Sequence, residues 1–541
     1  MSLRDLSKRS HPLFLSMSLR NPDRLGVSAV WCLFAVIGTV AIALRLTTHE
    51  VPWRTPDEKT YILYANQVAQ SGPSAFRALV DDYNRDSAKW LYPPPLRVGY
   101  VFLAAEITKF FATSVEKGGA WLAFASSLVG LFIAALIGWR FFDRWTTLIA
   151  LAFLSVSPLD LAIARRAWAD SMVGATGILL FYLCLEASVS ARPNKWRAAF
   201  WIVGIYFLLT KEFAIFIYGT CVLWLLIEAW LQRRSWRAIT TIAVPSTLTV
   251  LVGYGLLIWI AGGLTPALQV YRHLGQTHLL NEYAKLYQRG PWYSFPLGFW
   301  VLSPLSTLFA GVGIGQIILR HDSLTRVFPS QRQRQAIIAI ALFVLATLAI
   351  ATILPGFKSM RFVSVVEAPI CLIAAFLISY LLGLARTRFV DAAFSWTVSF
   401  AAMSLALICL NDYAQFKRIF IQNQLDDVTV SGIVNAAFTE QDSQKASLDT
   451  FKSSNSAEYH LSQSLVLYNQ GHYAESLAAA QSALSLKPDY AEAFNNICAA
   501  DNKLGRYNEA AKACEQALRI KPDFELARNN LKYARARKSD Q

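Results

Sequence analysis

Residues 27–58 read VSAVWCLFAVIGTVAIALRLTTHEVPWRTPDE, and the two halves of this stretch set the character of the chain. Residues 27–46 are apolar apart from Ser28, Thr39 and Arg45. That matches the roughly 20 residues a helix needs to cross the hydrocarbon of a bilayer. The second half ends in a helix-start signature. Thr55 is an N-cap, Pro56 the first helical residue, and Glu58 the third, as in a capping box. Behind them Tyr61, Tyr64, Ala65 and Val68 recur at helical spacing, which predicts an amphipathic helix on the membrane surface. Ahead of the apolar run lie Arg4, Lys8, Arg9, Arg20 and Arg24. This basic arm is expected in the cytoplasm, with the first apolar segment kept in the bilayer rather than cleaved as a signal.

Composition extends that reading to the whole chain. Of 541 residues 55% are apolar and 16% charged, against about 45–50% and about 25% in soluble proteins. The mean hydropathy is +0.36. These values argue against a cytosolic enzyme, a secreted disulfide scaffold or a disordered regulator. The net charge of +15 fits cytoplasmic loops of a membrane protein better than nucleic-acid binding, because no basic run carries interleaved aromatics. Seven cysteines, odd in number and scattered, outline neither a disulfide framework nor a metal site.

Eleven segments read as spans: 27–46, 118–139, 146–162, 170–189, 197–211, 212–231, 238–262, 293–319, 336–354, 362–385 and 389–410. Counted so, the basic loops at Arg140/Arg144, Arg192/Lys195/Arg197, Arg233/Arg234/Arg237, Arg320/Arg326/Arg332/Arg334 and Arg386/Arg388 all face the cytoplasm. Residues 96–113 carry Arg97, Glu106 and Lys109, and counting them as a span would turn the 140–144 loop outward. They are therefore read as interfacial or re-entrant. The outer side then receives 47–117, 162–169, 263–292, 355–361 and everything after 410.

The tail contains a repeat. Gly471, Tyr473, Glu475, Ala483, Lys487 and Pro488 recur 34 residues on as Gly505, Tyr507, Glu509, Ala517, Lys521 and Pro522. This period, with small residues between paired helices and a closing proline, resembles the tetratricopeptide repeat. The match covers about two repeats, 457–524, and a capping helix at 525–537. The expected fold is thus all-α: a polytopic transmembrane helical bundle of about 11 spans followed by a small α-solenoid of tetratricopeptide repeats. Its parts are a cytoplasmic arm (1–26), a membrane domain (27–410), a linker (411–456) and the repeat domain (457–541). Alignment of the repeat brings Cys498 and Cys514 to facing inward positions, as two small buried residues or as a bridge in an oxidising compartment.

Charge at the outer turns is the chemical signal. Asp57 and Glu58 have a plain reading as dipole partner and helix cap, and a chemical one as acid–base groups. Arg165, Arg166 and Asp170 stand at the mouth of a span, Lys211 and Glu212 between two spans, and Lys358 and Arg361 in the hairpin 355–361. Cations at span ends often only snorkel. Yet few are expected outside, and their recurrence opposite an acidic motif suits an anionic substrate held at the outer surface. His273 and His278 fall on different sides of a helix without a carboxylate cluster, so no metal site is expected. Gly311, Gly313 and Gly315 lie within a span and read as helix-packing glycines rather than a dinucleotide loop.

Asp57-Glu58 after the first span, Tyr92-Pro93-Pro94-Pro95-Leu96, Arg166 four residues before Asp170, Lys211, and Arg361 with Pro369 downstream together resemble the GT-C membrane glycosyltransferases. The branch with protein O-mannosyltransferases and lipid A aminoarabinose transferases is the most similar. The likeness covers residues 25–410. It departs at Pro93-Pro94-Pro95-Leu96-Arg97, where the family has His-Pro-Pro-Leu or Lys-Pro-Pro-Leu. The resemblance implies a transferase taking a sugar from a polyprenyl-phosphate donor at the extracytoplasmic face, with inversion, to a lipid, glycan or protein acceptor. Asp57 would be the general base, with Glu58 and Asp170 as further acidic groups. Arg165, Arg166, Lys211, Lys358 and Arg361 would bind the lipid phosphate, with no metal or separate cofactor. The expected setting is a bacterial inner membrane, with site and repeats in the periplasm. Partners would be the lipid-linked donor, membrane lipids, the acceptor and a protein bound by the repeats, and no nucleic acid. The rival readings are a membrane-anchored scaffold and a lipid-linked saccharide transporter, the latter without the internal symmetry common in transporters.

Overall fold

The computed structural model describes residues 27–48, 55–280, 290–319, 330–354, 358–388, 391–423, 425, 428–438, 457–469 and 472–538. The basic arm 1–26, the cations Arg320 and Arg326, and residues 439–456 of the expected linker lie outside the described residues. The chain divides into two units, Met1–Ala437 and Phe438–Gln541. Among the described residues both are helical, and a single antiparallel bridge joins Ser359 to Thr429.

In the first unit, helices α1 (Val27–Thr47), α2 (Pro56–Ser71), α3 (Ala75–Arg85) and α4 (Val98–Phe110) lead into α5 (Val115–Phe141). Next come α6 (Arg144–Ser155), α7 (Pro158–Ala164), α8 (Asp170–Val189), α9 (Pro193–Leu208), α10 (Ala214–Arg233) and α11 (Trp236–Ile260). They are followed by α12 (Leu264–Leu280), α13 (Ser294–Leu302), α14 (Pro304–Leu319), α15 (Gln331–Ile353), α16 (Glu367–Arg388), α17 (Asp391–Phe416) and α18 (Val430–Phe438). Helix α8 is the hub, packed by α5, α9 and α10.

Among the described residues eight helices are long and apolar enough to cross a membrane, or nine if one bent pair counts as a span. Eight of the eleven expected segments correspond to these. The other three are helical but fall short in different ways. Segment 146–162 is broken into α6 and α7 with a bend of 57°. Segment 197–211 is the end of α9, whose 16 residues reach only about 24 Å. Segment 293–319 is split by Pro304 into α13 and α14. Hydropathy averaged over a window registers none of these breaks. The interfacial reading of 96–113 corresponds to α4, whose 13 residues span about 20 Å and end on the exposed Phe110 and Phe111.

The break between α6 and α7 shows how the bundle handles backbone without water. A helix end inside a membrane leaves carbonyls that nothing in lipid can satisfy. Buried Arg45, the lone charge of the first span, supplies the donors. Its Nη1 donates to the Ser155 carbonyl (3.1 Å) and its Nη2 to that of Leu154 (3.2 Å). Asp160 balances the charge through an ion pair and accepts from Nε at 3.1 Å. At 311–315, Gly313 alone is a close approach, since a Cβ there would lie 2.7 Å from Ile373. A Cβ added at Gly311 or Gly315 would meet no other element among the described residues within 4 Å.

Residues 411–438, expected as the first part of a linker, are mostly packed structure. Helix α17 continues as a π-helical turn, Lys417–Gln422, and α18 follows. Phe416, Ile419, Phe420, Val428 and Ile433 are buried in the core of the first unit. Their spacing is too irregular for a span, which is why the stretch reads as a connector.

The second unit has five described helices, α19 (Ala457–Asn469), α20 (Tyr473–Leu486), α21 (Ala491–Lys503), α22 (Tyr507–Ile520) and α23 (Glu525–Lys538). Helices α19, α21 and α23 begin 34 residues apart, as do α20 and α22. Small side chains close each seam: Ala480 and Ala483 in the first pair, Ala510 and Ala517 in the second, all fully buried. Cys498 and Cys514 are joined in a disulfide with a Cα–Cα distance of 5.4 Å.

Two tests follow from these features. Arg45→Met removes the donors to the α6 carbonyls and leaves Asp160 without its counter-charge. We expect a loss of about 3–5 kcal/mol, read as a lower midpoint of thermal unfolding in detergent, with Asp160→Asn costing less. For the tail, alkylation under denaturing conditions followed by intact-mass analysis should modify Cys498 and Cys514 only after reduction. Two thiols reactive without reductant would show that the bridge does not form.

Candidate functional site

The site begins at the first turn of α2. The Thr55 N–H donates to Glu58 Oε2 (2.9 Å) and the Glu58 N–H to Thr55 Oγ1 (3.4 Å), completing the capping box. Glu58 does more than cap. Its Oε1 accepts from the Ala167 N–H (2.8 Å) and its Oε2 from Arg166 Nη1 (3.1 Å), while Trp168 Nε1 donates to Thr55 Oγ1 (3.1 Å). One fully buried carboxylate therefore locks the start of α2 onto the turn that precedes α8.

Asp57 faces the other way. Its Oδ2 accepts from Arg361 Nη1 at 3.1 Å, and its side chain is 31% exposed. Its Oδ1 accepts no hydrogen bond from the described residues. Arg361 belongs to a 3-10 turn, Met360–Val366, that packs on α8. The Arg361 guanidinium lies 4.6 Å from the Trp168 ring and that of Arg166 5.6 Å from it, so both cations share one buried indole. Cation–π contact of this kind holds a guanidinium without consuming its hydrogen-bond donors.

A second layer lies behind these groups. Asp170, the first residue of α8, forms a buried ion pair with Lys211, whose ammonium is 4.6 Å from the Phe362 ring. Arg97 forks onto Glu212, with Nε 3.1 Å from both carboxylate oxygens and Nη2 2.9 Å from Oε2. It also donates to the Tyr61 hydroxyl. Burial pushes Glu212 upward, but the Arg97 charge and its hydrogen bonds outweigh this and hold the carboxyl below the usual range. Burial raises the Tyr61 hydroxyl well above its ordinary value, so it stays protonated. The proline run is held by Tyr64, whose hydroxyl donates to the Pro93 carbonyl (3.1 Å).

The structure thus gathers Asp57, Glu58, Arg166, Asp170, Lys211 and Arg361 from four distant parts of the chain. Arg165 is buried at the end of α7. Lys358 is turned elsewhere: its ammonium donates to the Thr352 carbonyl (2.5 Å) and the Ala351 carbonyl (3.3 Å), capping α15 against Phe295. Burial lowers its pKa from the ordinary lysine value. Sequence reasoning missed Trp168, Tyr61 and the Arg97–Glu212 pair. Arg97 stood out as a charge in an apolar run and at the end of the proline motif, but no spacing rule links it to a partner 115 residues away. Among the described residues no group of three or more His, Cys, Asp or Glu could hold a metal.

No protein-family model and no curated protein matches the chain. Solved structures similar to it include ArnT from Cupriavidus metallidurans bound to undecaprenyl phosphate, at 14% identity and a TM-score of 0.47, covering 95% of this chain and 88% of that one. The Archaeoglobus fulgidus oligosaccharyltransferase in its apo form is also similar, at 11% identity and a TM-score of 0.47, over 72% of this chain and 57% of that one. The archaeal AglB in complex with an inhibitory peptide and a dolichol-phosphate matches at 13% identity and a TM-score of 0.41, over 71% of this chain and 56% of that one.

The Arg97–Glu212 pair has a definite pH signature. A carboxyl depressed in the folded state stabilises above its unfolded pKa of about 4.3 and loses that contribution as pH falls through the folded value. Glu212→Gln should lower the unfolding midpoint at pH 7 by leaving the largely enclosed Arg97 without its counter-charge. The gap to the native protein should narrow as pH drops below about 4. A gap that stays constant with pH would mean the pair adds no charge-dependent stability.

Proposed function

We propose that the chain is a GT-C-type glycosyltransferase, moving a sugar from a polyprenyl-phosphate donor to a lipid, glycan or protein acceptor at the extracytoplasmic face. The observation that carries this reading is the contrast between two adjacent acids. Glu58 is consumed by structure, whereas Asp57, beside Arg361, keeps an oxygen that accepts no hydrogen bond from the described residues. A base next to a cluster of buried cations is what direct displacement from a sugar phosphate requires.

In the proposed reaction the acceptor presents its proton to Asp57 Oδ1. The acceptor atom forms a bond to the anomeric carbon as the bond from that carbon to the phosphate oxygen breaks. The proton passes to Asp57, and the electron pair leaves with the phosphate. Attack from the face opposite the leaving group inverts the anomeric centre. Arg361 and Arg166, backed by Lys211, stabilise the departing phosphate; a preorganised cation in a poorly hydrated site acts more strongly than in water. Asp170 keeps Lys211 in place, and Glu58 sets the position of Arg166. Lys358 and Arg165 support the surrounding turns in this reading.

The same reading takes all eleven segments as crossings, with α6–α7, α9 and α13–α14 spanning as bent, short or split elements. That odd number places the second unit outside the cytoplasm, in a periplasm, where its disulfide is at home. The second unit is read as tetratricopeptide repeats that recruit a protein partner.

Asp57→Asn keeps the shape of the helix start and removes the base, so transfer from a synthetic polyprenyl-phosphate sugar should fall by about 10²–10⁴. Lipid phosphate should still bind. Arg361→Ala should weaken donor use and Arg361→Lys restore only part of it, because a lysine offers a point charge in place of a fork. Undiminished transfer by Asp57→Asn would remove it from the chemistry.

A further inference from the structure

The end of the bundle away from Asp57 carries a second charged cluster, one that the transfer reaction does not use. On α8 the rise from Asp170 to Glu186 is about 24 Å, most of the thickness of a bilayer's hydrocarbon. The Glu186 side chain is fully buried, and arginines from two other helices converge on one of its oxygens. Arg140 Nε, at the end of α5, donates to Glu186 Oε1 at 2.7 Å. Arg332 Nη2, in the first turn of α15, donates to the same oxygen at 3.1 Å. The Arg332 guanidinium also lies 4.8 Å from the Phe141 ring, a contact that holds it without using its donors.

Two guanidinium groups against one carboxylate leave a surplus positive charge, and most of their donors are open. Arg140 makes no other hydrogen bond among the described residues, and its side chain is 51% exposed. Arg332 makes none beyond Glu186, and its Nε is shut off from solvent with no acceptor. Glu186 Oε2 is buried and equally without a partner. Buried polar atoms in folded proteins are nearly all bonded, so the cluster has places for an acceptor and a donor from outside the chain. Arginines that merely snorkel extend toward water. These two turn inward onto a shared oxygen, which holds their remaining donors in place.

Exposed tryptophans put the cluster at a head-group layer. Trp139, next to Arg140, stands with its ring centroid 5.7 Å from that of Trp31 at the start of α1. Trp230 and Trp236 stand 5.5 Å apart at the turn from α10 to α11, the end of α10 remote from Lys211. All four are exposed, and tryptophan gathers where a membrane meets water. We propose that Arg140, Arg332 and Glu186 form a binding site for the head group of an anionic glycerophospholipid, in the leaflet remote from Asp57. The lipid phosphate accepts from the open guanidinium edges in charge-assisted bonds, and head-group hydroxyls donate to Glu186 Oε2. A zwitterionic lipid brings no net charge to neutralise the surplus. The bound lipid ties α5, α8 and α15 together at this end of the bundle.

The test is native mass spectrometry of the full chain in detergent, titrated with phosphatidylglycerol or phosphatidylcholine of matched acyl chains. With about fivefold from each arginine, phosphatidylglycerol should bind about thirtyfold more tightly. Arg140→Lys should keep part of that preference, because an ammonium lacks the fork. Arg140→Gln combined with Arg332→Gln and Glu186→Gln leaves no ion of the cluster unpaired, so the chain should fold, and the preference should disappear. Arg192→Ala removes an exposed cation at the start of α9 and should leave the preference unchanged. A preference that survives the triple variant, or falls equally with Arg192→Ala, would reveal diffuse attraction to a basic surface and overturn the inference. Displacement of phosphatidylglycerol by millimolar inorganic phosphate would overturn it too, by making the site one for a free anion. Asp57→Asn should bind phosphatidylglycerol as the native chain does, so failure of the transferase reading leaves this one standing.

Discussion

A carboxylate removed from water has to be neutralised and fully hydrogen-bonded, and Glu58 meets that demand with groups from two parts of the chain. Its oxygens take the Thr55 N–H on one side and Arg166 and the Ala167 N–H on the other. The whole charged cluster hangs on this bond set. It fixes the direction of α2, and therefore where Asp57 points. It also pins the 165–169 turn, and with it Trp168, the surface on which both guanidinium groups rest. Removing the Glu58 carboxylate would strand a buried arginine, so the acid that does no chemistry is the one least replaceable.

Burying so many ions has a general cost. Each ion loses hydration worth several kcal/mol, and pairing returns this only with good geometry. The first unit handles the problem in layers, with Arg97 on Glu212, Lys211 on Asp170 and Arg361 on Asp57. Exposure rises toward Asp57, the pair most open to exchange partners. A bound anion competes there for Arg361 without first breaking the deeper pairs. The graded burial keeps a rigid floor beneath a single adjustable contact.

Much of this was legible in the linear chain, for physical reasons that differ by element. The first span, the capping box and the 34-residue period are local patterns, carried by hydrophobicity, side-chain-to-backbone bonds and repetition within one segment. Asp57, Arg166, Asp170, Lys211 and Arg361 could be nominated because the sidedness of basic loops makes outer cations conspicuous. Long-range pairings were not legible. Nothing in the spacing says that Arg97 reaches Glu212, or that Lys358 turns away to close the end of α15. The breaks at 155–158 and at Pro304 were hidden as well, because averaged hydropathy is blind to where a helix stops. The packed stretch 411–438 read as a connector for the opposite reason: its buried residues follow no regular period.

The disulfide is confined to the second helix pair of the tail. At the matching positions of the first pair stand Ser464 and Ala480, where the contact is a hydroxyl hydrogen bond between Ser464 and Ser476 and a buried methyl. A bridge over a loop this short restrains the unfolded chain by about 3 kcal/mol, and arrays of helix pairs transmit stability only to their neighbours. The tail is accordingly uneven in stability, firmer in its second helix pair than in its first. Under heat, α19 and α20 open first, while the stapled pair α21 and α22 remains intact.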